Sequence, residues 1–302
     1  MSSSGSTKVI IVAFSANFGI ALAKFAGAFV SGSASLLAEA IHSTVDCSNQ
    51  ILLLIGSKKS KKPADDQHPL GYGREAFFWS FIVAILLFSL GGLFAIYEGI
   101  HKMGSHEDVS SPILGLSILV LSLGLEGYSF WACLKEVKAQ NTYGSLWAWF
   151  KNTKSSELLV IFTEDAAALS GLVIATACLS LAWATGNSNW DASGSVIVGI
   201  LLVVVAVLLA AEVKSFIIGE APSGEIRAFV VKTAGVLFPT GKVLNFIAIQ
   251  TGSDEVMLSC KIDPGNIKDV DQAIDLVNEL ERKTRAQFSS VRWQFVELDR
   301  LD

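Results

Sequence analysis

The run Ser31-Gly-Ser-Ala-Ser-Leu-Leu-Ala-Glu39-Ala-Ile-His42-Ser-Thr-Val-Asp46-Cys-Ser-Asn49-Gln50 decides how this chain folds. It lies in an apolar segment, Ala34 to Gly56, that is long enough to cross a bilayer. An imidazole and a carboxylate near the middle of such a segment are costly, so they face a protein interior or a water-filled path and handle ions or protons. At about 100° per residue, Glu39, His42, Asp46, Asn49 and Gln50 fall within an arc of roughly 100°, while Ile41, Val45 and Leu52 lie on another face. One face is polar and continuous. His42 and Asp46 stand one turn apart and can reach the same ion; the plainer alternative is a His–Asp hydrogen bond that fixes helix packing.

Five further apolar segments flank this one: Val9 to Val30, Phe77 to Ile100, Ile113 to Cys133, Leu158 to Ala184 and Ala192 to Phe216. The fold class is therefore an α-helical membrane protein with six transmembrane helices in residues 1–218. Composition agrees: 51% of the 302 residues are hydrophobic, 17% are charged and the mean hydropathy is +0.51, which makes the bilayer the solvent. The first segment has only Lys8 as a basic flank and exceeds a signal-peptide core, so it reads as a retained helix. Basic residues gather in alternate connections, Lys58, Lys59, Lys61, Lys62 and Arg74 in one and Lys135, Lys138, Lys151 and Lys154 in another. The opposite connections hold Lys102 or none, so both termini are expected in the cytoplasm, with a bacterial inner membrane the simplest location. A net charge of −5, with no basic tail or stripe, argues against a nucleic-acid partner. Cys47, Cys133, Cys178 and Cys260 include no CxxC pair and read as packing residues.

Beyond Lys214 hydrophobicity falls, and Glu220, Pro222, Ser223 and Gly224 form a punctuated hinge with Ser223 as a helix cap. Residues 219–302 are expected to form a cytoplasmic domain. Ile226, Phe229, Val230 and Ala234 mark a helix; Leu244 to Gln250 and Val256 to Asp263 mark two strands around Thr251-Gly-Ser-Asp254. Val270, Ala273, Ile274, Val277 and Leu280 mark a second helix, and Val291, Trp293 and Phe295 alternate with Arg292, Gln294 and Val296 as in a half-buried strand. The order is αββαβ, a small ferredoxin-like α+β domain.

The fifth apolar segment carries the adjacent acids Glu164 and Asp165. They point about 100° apart and do not both aim at one spot, Asp165 being the better candidate for direct contact. Carboxylates sharing a low-dielectric site repel one another and hold protons unless a cation is present. The alternative is one protonated acid and one paired with a base such as Lys24 in the first span. Imidazole nitrogen with carboxylate oxygen suits Zn²⁺, Mn²⁺, Fe²⁺, Co²⁺ or Ni²⁺ over Ca²⁺ or Mg²⁺, with Zn²⁺ favoured. Because protons compete with metal at such ligands, a pH gradient can drive exchange, and metal-for-proton antiport is the natural mechanism.

The stretch Ser31 to Asp46 resembles the second-helix signature of the cation diffusion facilitators, the family of zinc transporters and efflux pumps, and His68-Pro-Leu-Gly-Tyr-Gly-Arg74 is similar to the family's entry into the third helix. The resemblance covers nearly the whole chain. It implies a homodimer, not an enzyme, that exports a divalent metal, with a transport site in each protomer. Many members have HxxxD in the fifth helix. If Asp165 is that aspartate, Ile161 stands at the histidine position; Glu164 then substitutes, as in a subgroup with a Glu-Asp pair here, with Asn49, Glu39 or water as other candidates. The site residues are thus His42, Asp46, Asp165 and Glu164. A second family site would map to Asp65 and His68, but Tyr72 stands where some members have a third ligand, histidine, and a weak or absent site is expected. The tail has no histidine, which points to dimer contact, with Cys260 and the nearby acids only weak metal candidates.

His101, His106, Glu107 and Asp108 read as a solvated loop, Glu98 and Glu126 as possible proton relays or partners of Lys24 or Arg74, and Trp147, Trp149 and Phe150 as an interfacial anchor. A non-transporting metal sensor or scaffold binding the same ion is the alternative function.

Overall fold

Helices form at every one of the six apolar segments in the computed structural model, which describes residues 3–105, 111–140, 144–153 and 155–300. Helix α1 (Ser3–Ser31) leads into α2 (Ala34–Ser60) through Gly32, whose φ of 68° is a left-handed conformation that glycine adopts without steric cost. Ser33 then caps α2, its Oγ accepting from the Leu36 amide at 3.1 Å. Next come α3 (Glu75–Leu86), a π-helical segment (Leu87–Leu93) and α4 (Phe94–Ser105), followed by α5 (Pro112–Gln140), the short α6 (Leu146–Asn152), α7 (Ser156–Thr185) and α8 (Asn189–Ile218).

Among the described residues, four stretches are long and apolar enough to cross a membrane: Glu75–Met103, Pro112–Ala139, Ser156–Thr185 and Asn189–Ile218. Asn17–Ser31 is a shorter apolar stretch. The expectation was six. Helix α2 has 27 residues, enough length for a span, but Glu39, His42, Asp46, Asn49 and Gln50 dilute its apolarity.

The chain divides into two compact units. One draws on the chain up to Gly56, on Phe78–Phe150 and on Glu157–Val213. Its interior includes Leu36, Leu119, Leu172, Ala175 and Leu179, which join α2, α5 and α7, and Leu87, Val198, Leu202 and Ala206, which join the π segment to α8. Many apolar side chains of the same helices stay exposed, among them Val120, Leu121, Val173, Val204, Val207 and Leu208. A surface of that kind suits lipid. Trp149 departs from the expected interfacial anchor: it is buried, meeting Phe162 edge-on at 5.4 Å beside Cys133 and Val137, while Trp147 stays exposed and stacks on Phe150.

The other unit combines Ser57–Phe77, Lys151–Ser156 and the chain from Lys214 onward. It is therefore not the tail alone. Its globular part runs α9 (Gly224–Leu237), β1 (Lys242–Gly252), β2 (Glu255–Asp263), α10 (Val270–Gln287) and β3 (Val291–Leu298), the expected αββαβ order. The sheet is mixed: β1 and β2 pair antiparallel, β2 and β3 parallel. Its core packs Ile226, Val230 and Ala234 of α9 and Leu280 of α10 onto Val256, Leu258, Cys260 and Ile262 of β2. The alternation expected for β3 fails after its first residue. Val256 pairs with Val291 but Met257 pairs with Trp293, so Arg292 is an extra residue, and such a bulge exchanges the two faces beyond it. Gln294 is consequently buried and Phe295 is 54% exposed.

Candidate metal centre

Helix α2 brings its polar arc inside the protein. Glu39, His42, Asp46 and Asn49 are all buried. Among the described residues, His42 Nδ1 and Nε2, Asp46 Oδ1, Asn49 Oδ1, Gln50 Oε1 and Glu39 Oε1 are buried without a hydrogen-bond partner. A single helix face seldom carries so many orphaned polar atoms, because each costs about 1–3 kcal/mol when left unpaired. His42 Nδ1 lies 3.6 Å from Asp46 Oδ1, too far for a good hydrogen bond, so the pair is close without satisfying itself.

Beyond the packing of Leu36 on Leu172 and Leu179, two contacts of the polar arc set α2 against α7. Asn49 Nδ2 donates to Glu164 Oε1. Ten residues earlier, Glu39 fits against Gly171, where a Cβ would stand 2.6 Å from Glu39 Oε1; any larger residue at 171 would push the carboxylate away. As α2 runs from 39 to 49, its contacts on α7 run from 171 to 164, so the two helices are antiparallel and His42 and Asp46 lie between the two contacts. The acids of α7 split as their 100° separation requires. Glu164 is buried toward α2, whereas Asp165 is only partly buried and accepts from Ser129 Oγ of α5 at 3.5 Å. Ile161, at the place of the missing histidine, is 37% exposed. Among the described residues, no three His, Cys, Asp or Glu side chains come together as a ready-made metal cage. The structure brings His42 to Asp46 and Glu164 to Asn49, and it leaves Asp165 one face away.

Lys24 of α1, 1% exposed, is the partner of Glu39: its Nζ lies 3.2 Å from Glu39 Oε2 and 2.7 Å from Ser43 Oγ. Its ion pair is therefore with Glu39, not with either acid of α7. Lys24 and the carboxylates of Glu126, Glu164 and Asp165 all lie near enough to act on Asp46 electrostatically. Glu126 of α5 thus belongs to this group, a role that sequence left open between it and Glu98. At the other end of α2, buried Asp191 of α8 accepts from Ser33 Oγ at 2.8 Å, from the Ala34 amide at 2.6 Å and from Ser35 Oγ. Sequence reasoning missed this clamp and the Lys24–Glu39 pair. The polar arc signalled Glu39 and Asn49, but no local pattern links Asp191 to serines 156 or more residues away.

In the loop after α2, Asp65 and His68 are each about half exposed, and the carboxylate of Asp65 is engaged by its own neighbours. Asp65 Oδ1 accepts from the amides of Gln67 at 3.1 Å and His68 at 2.8 Å, and its Oδ2 accepts from Tyr72 Oη at 2.7 Å. Chiefly the Tyr72 hydroxyl, then the His68 amide, hold the Asp65 carboxyl below the usual carboxylate range. His68 stacks on Tyr72 with centroids 4.2 Å apart, and Lys62 lies over the same ring. Cys260 sits in the tail core, where burial pushes its thiol up to about 11. The other three cysteines are also buried and unbridged. His101 stacks on Tyr97 at the end of α4; His106, Glu107, Asp108 and Lys154 lie outside the described residues.

Residues 10–218 match the family model for the cation efflux transmembrane domain. The chain therefore belongs to the cation efflux family, the cation diffusion facilitators, whose members are multi-pass membrane transporters and not enzymes. It is 32% identical to metal tolerance protein C4 of Arabidopsis thaliana over 231 residues, which are 75% of this chain and 50% of that protein. It is 34% identical to the mitochondrial proton-coupled zinc antiporter SLC30A9 of Mus musculus over 207 residues, 68% of this chain and 36% of that one. An uncharacterized transporter, MJ0449, of Methanocaldococcus jannaschii is 26% identical over 75% of each chain. The chain thus spans half or less of the length of the first two relatives.

Proposed function

We propose that this protein is a secondary transporter that exports a divalent transition metal, zinc first among them, in exchange for protons. The observation that carries this reading is the set of buried polar atoms of His42 and Asp46 that have no hydrogen-bond partner among the described residues, beside Glu164 of α7 inside a helical membrane unit. A nitrogen and carboxylate oxygens in a desolvated space favour Zn²⁺ over Ca²⁺ or Mg²⁺, and Mn²⁺, Fe²⁺, Co²⁺ and Ni²⁺ are the competing substrates. His42, Asp46, Glu164 and Asp165 form the site. The Asn49–Glu164 bond holds one acid of α7 against α2, and loading requires Asp165 to turn from Ser129 toward Asp46. Because each ligand must shed its protons to take up metal, an inward proton gradient discharges the ion on the far side. The mouse relative named a proton-coupled zinc antiporter supports this coupling by similarity.

In this reading α1, α2, the α3–α4 span, α5, α7 and α8 are six transmembrane spans. The lysines of the α2–α3 and α5–α7 connections keep both termini in the cytoplasm of a cell whose inner membrane holds the protein. Two copies pair, the tail serving as dimer contact. Purified protein in liposomes with a trapped zinc dye tests the reading. An imposed pH gradient should move zinc in with protons out, or the reverse, and D46A and D165A should each abolish the flux while the folded dimer persists. Zinc binding without movement would instead make the protein a sensor or scaffold.

A further inference from the structure

The Lys24–Glu39 pair poses a question that the transport site does not answer. Lys24 and Glu39 are 1% and 0% exposed, and Ser43, which takes a second bond from the same ammonium, is 2% exposed. Buried ion pairs add little net stability over apolar replacements, and ionisable groups within a span mark function. Glu39 stands three residues before His42 on the same arc, so its carboxylate is a turn away from the proposed ion. One of its oxygens holds Lys24; the other, Oε1, is buried and has no hydrogen-bond partner among the described residues, in the space that Gly171 leaves open. Left to itself, a buried carboxylate with a free oxygen beside a His–Asp pair is an oxygen ligand for a divalent cation. Lys24 also lies close enough to His42 and Asp46 to act on both.

Building on the transporter reading, we infer that Lys24 is a specificity-determining residue that acts as a resident cation: it holds Glu39 out of the ion's ligand set and so keeps zinc binding loose enough for release. The ammonium occupies the carboxylate that would otherwise make an additional ligand, and its charge opposes a divalent ion at the neighbouring turn. The ion is confined to His42, Asp46 and the acids of α7. Removing the ammonium adds a ligand and removes a repulsion together, and both tighten binding.

Equilibrium binding of zinc to the purified full chain, read by competition with a fluorescent chelator, tests this without relying on flux. K24M should bind zinc about tenfold more tightly than the wild type, the order expected from one unit charge at close range in a partly desolvated site. K24M/E39Q, which also removes the carboxylate, should return to within about threefold of the wild type, and K24R, which keeps the charge, should match it. Should K24M not fold, K24Q and K24Q/E39Q carry the same comparison, since glutamine removes the charge while keeping a polar side chain at the buried position. Unchanged or weaker binding in the single variant, or tight binding that persists in the double variant, would overturn the inference, because lost packing weakens binding and is not cured by a second substitution. Flux in the same preparations judges the other reading separately: wild-type protein that binds zinc but does not move it sinks transport and leaves the binding comparison standing.

Discussion

Asn49 on α2 donates a hydrogen bond to Glu164 on α7, a polar contact that joins the two helices carrying the candidate ligands alongside the packing of Leu36 on Leu172 and Leu179. Glu164 therefore has two roles to separate, as a packing partner and as an acid. E164Q keeps the acceptor for Asn49 and should leave thermal stability within about 1 kcal/mol of the wild type while weakening zinc binding. N49L leaves Glu164 buried and unpaired and should lower stability by about 1–3 kcal/mol. Thermal unfolding and zinc binding of the two variants decide; E164Q that binds zinc like the wild type removes Glu164 from the site.

The clamp at the start of α2 gives a second expectation. Asp191 accepts from two serine hydroxyls and from the Ala34 amide, and all four groups are buried. D191A leaves those donors without their acceptor and should cost about 3 kcal/mol or more, with D191N losing less because one carbonyl oxygen remains. Hydrogen exchange at the first amides of α2 should accelerate in D191A, and protection equal to the wild type would show that the clamp is not what holds this turn.

At Tyr72 the expectation is one of pH. Asp65 titrates below its unfolded value of about 3.9, so the clasp contributes fully above that pH and is lost as pH falls through the lower folded value. Y72F removes the largest cause, and the Asp65 titration followed by carboxyl NMR should move up toward the ordinary range. Tyr72, whose value Asp65 raises above the usual 10, should keep its proton into more alkaline solution in the wild type than in D65N. A Y72F titration that coincides with the wild type would mean that the backbone amides alone set the value.

Gln294 offers a stabilising change. The bulge at Arg292 turns it inward, where neither its Nε2 nor its Oε1 has a hydrogen-bond partner among the described residues, and a buried amide in that state costs more than an apolar side chain of similar size. Q294L should raise the unfolding free energy of the tail by about 1–2 kcal/mol, read as an upward shift in its denaturant midpoint at unchanged slope. A loss of stability would show that the amide is bonded in solution.

Much of this was legible in the chain. The 100° arc from Glu39 to Gln50 required a buried partner for α2, and the helical and period-two patterns after Gly224 gave the αββαβ order, because side-chain periodicity is local physics. Face assignment in β3 was not legible, since a bulge depends on the partner strand and moves every later side chain to the opposite face. Nor was the burial of Trp149 beside Phe162, which depends on where α7 lies.

The sequence by itself determined that the ionisable residues share a face of a bilayer-length helix and that they are of the types that bind transition metals. Which acid meets which helix was decided only by the tertiary structure. Lys24 lies 15 residues from Glu39, Asn49 lies 115 from Glu164, and Ser35 lies 156 from Asp191. No periodicity spans such separations. They are chosen by the cost of leaving a buried polar group unpaired, which only the assembled helices can settle.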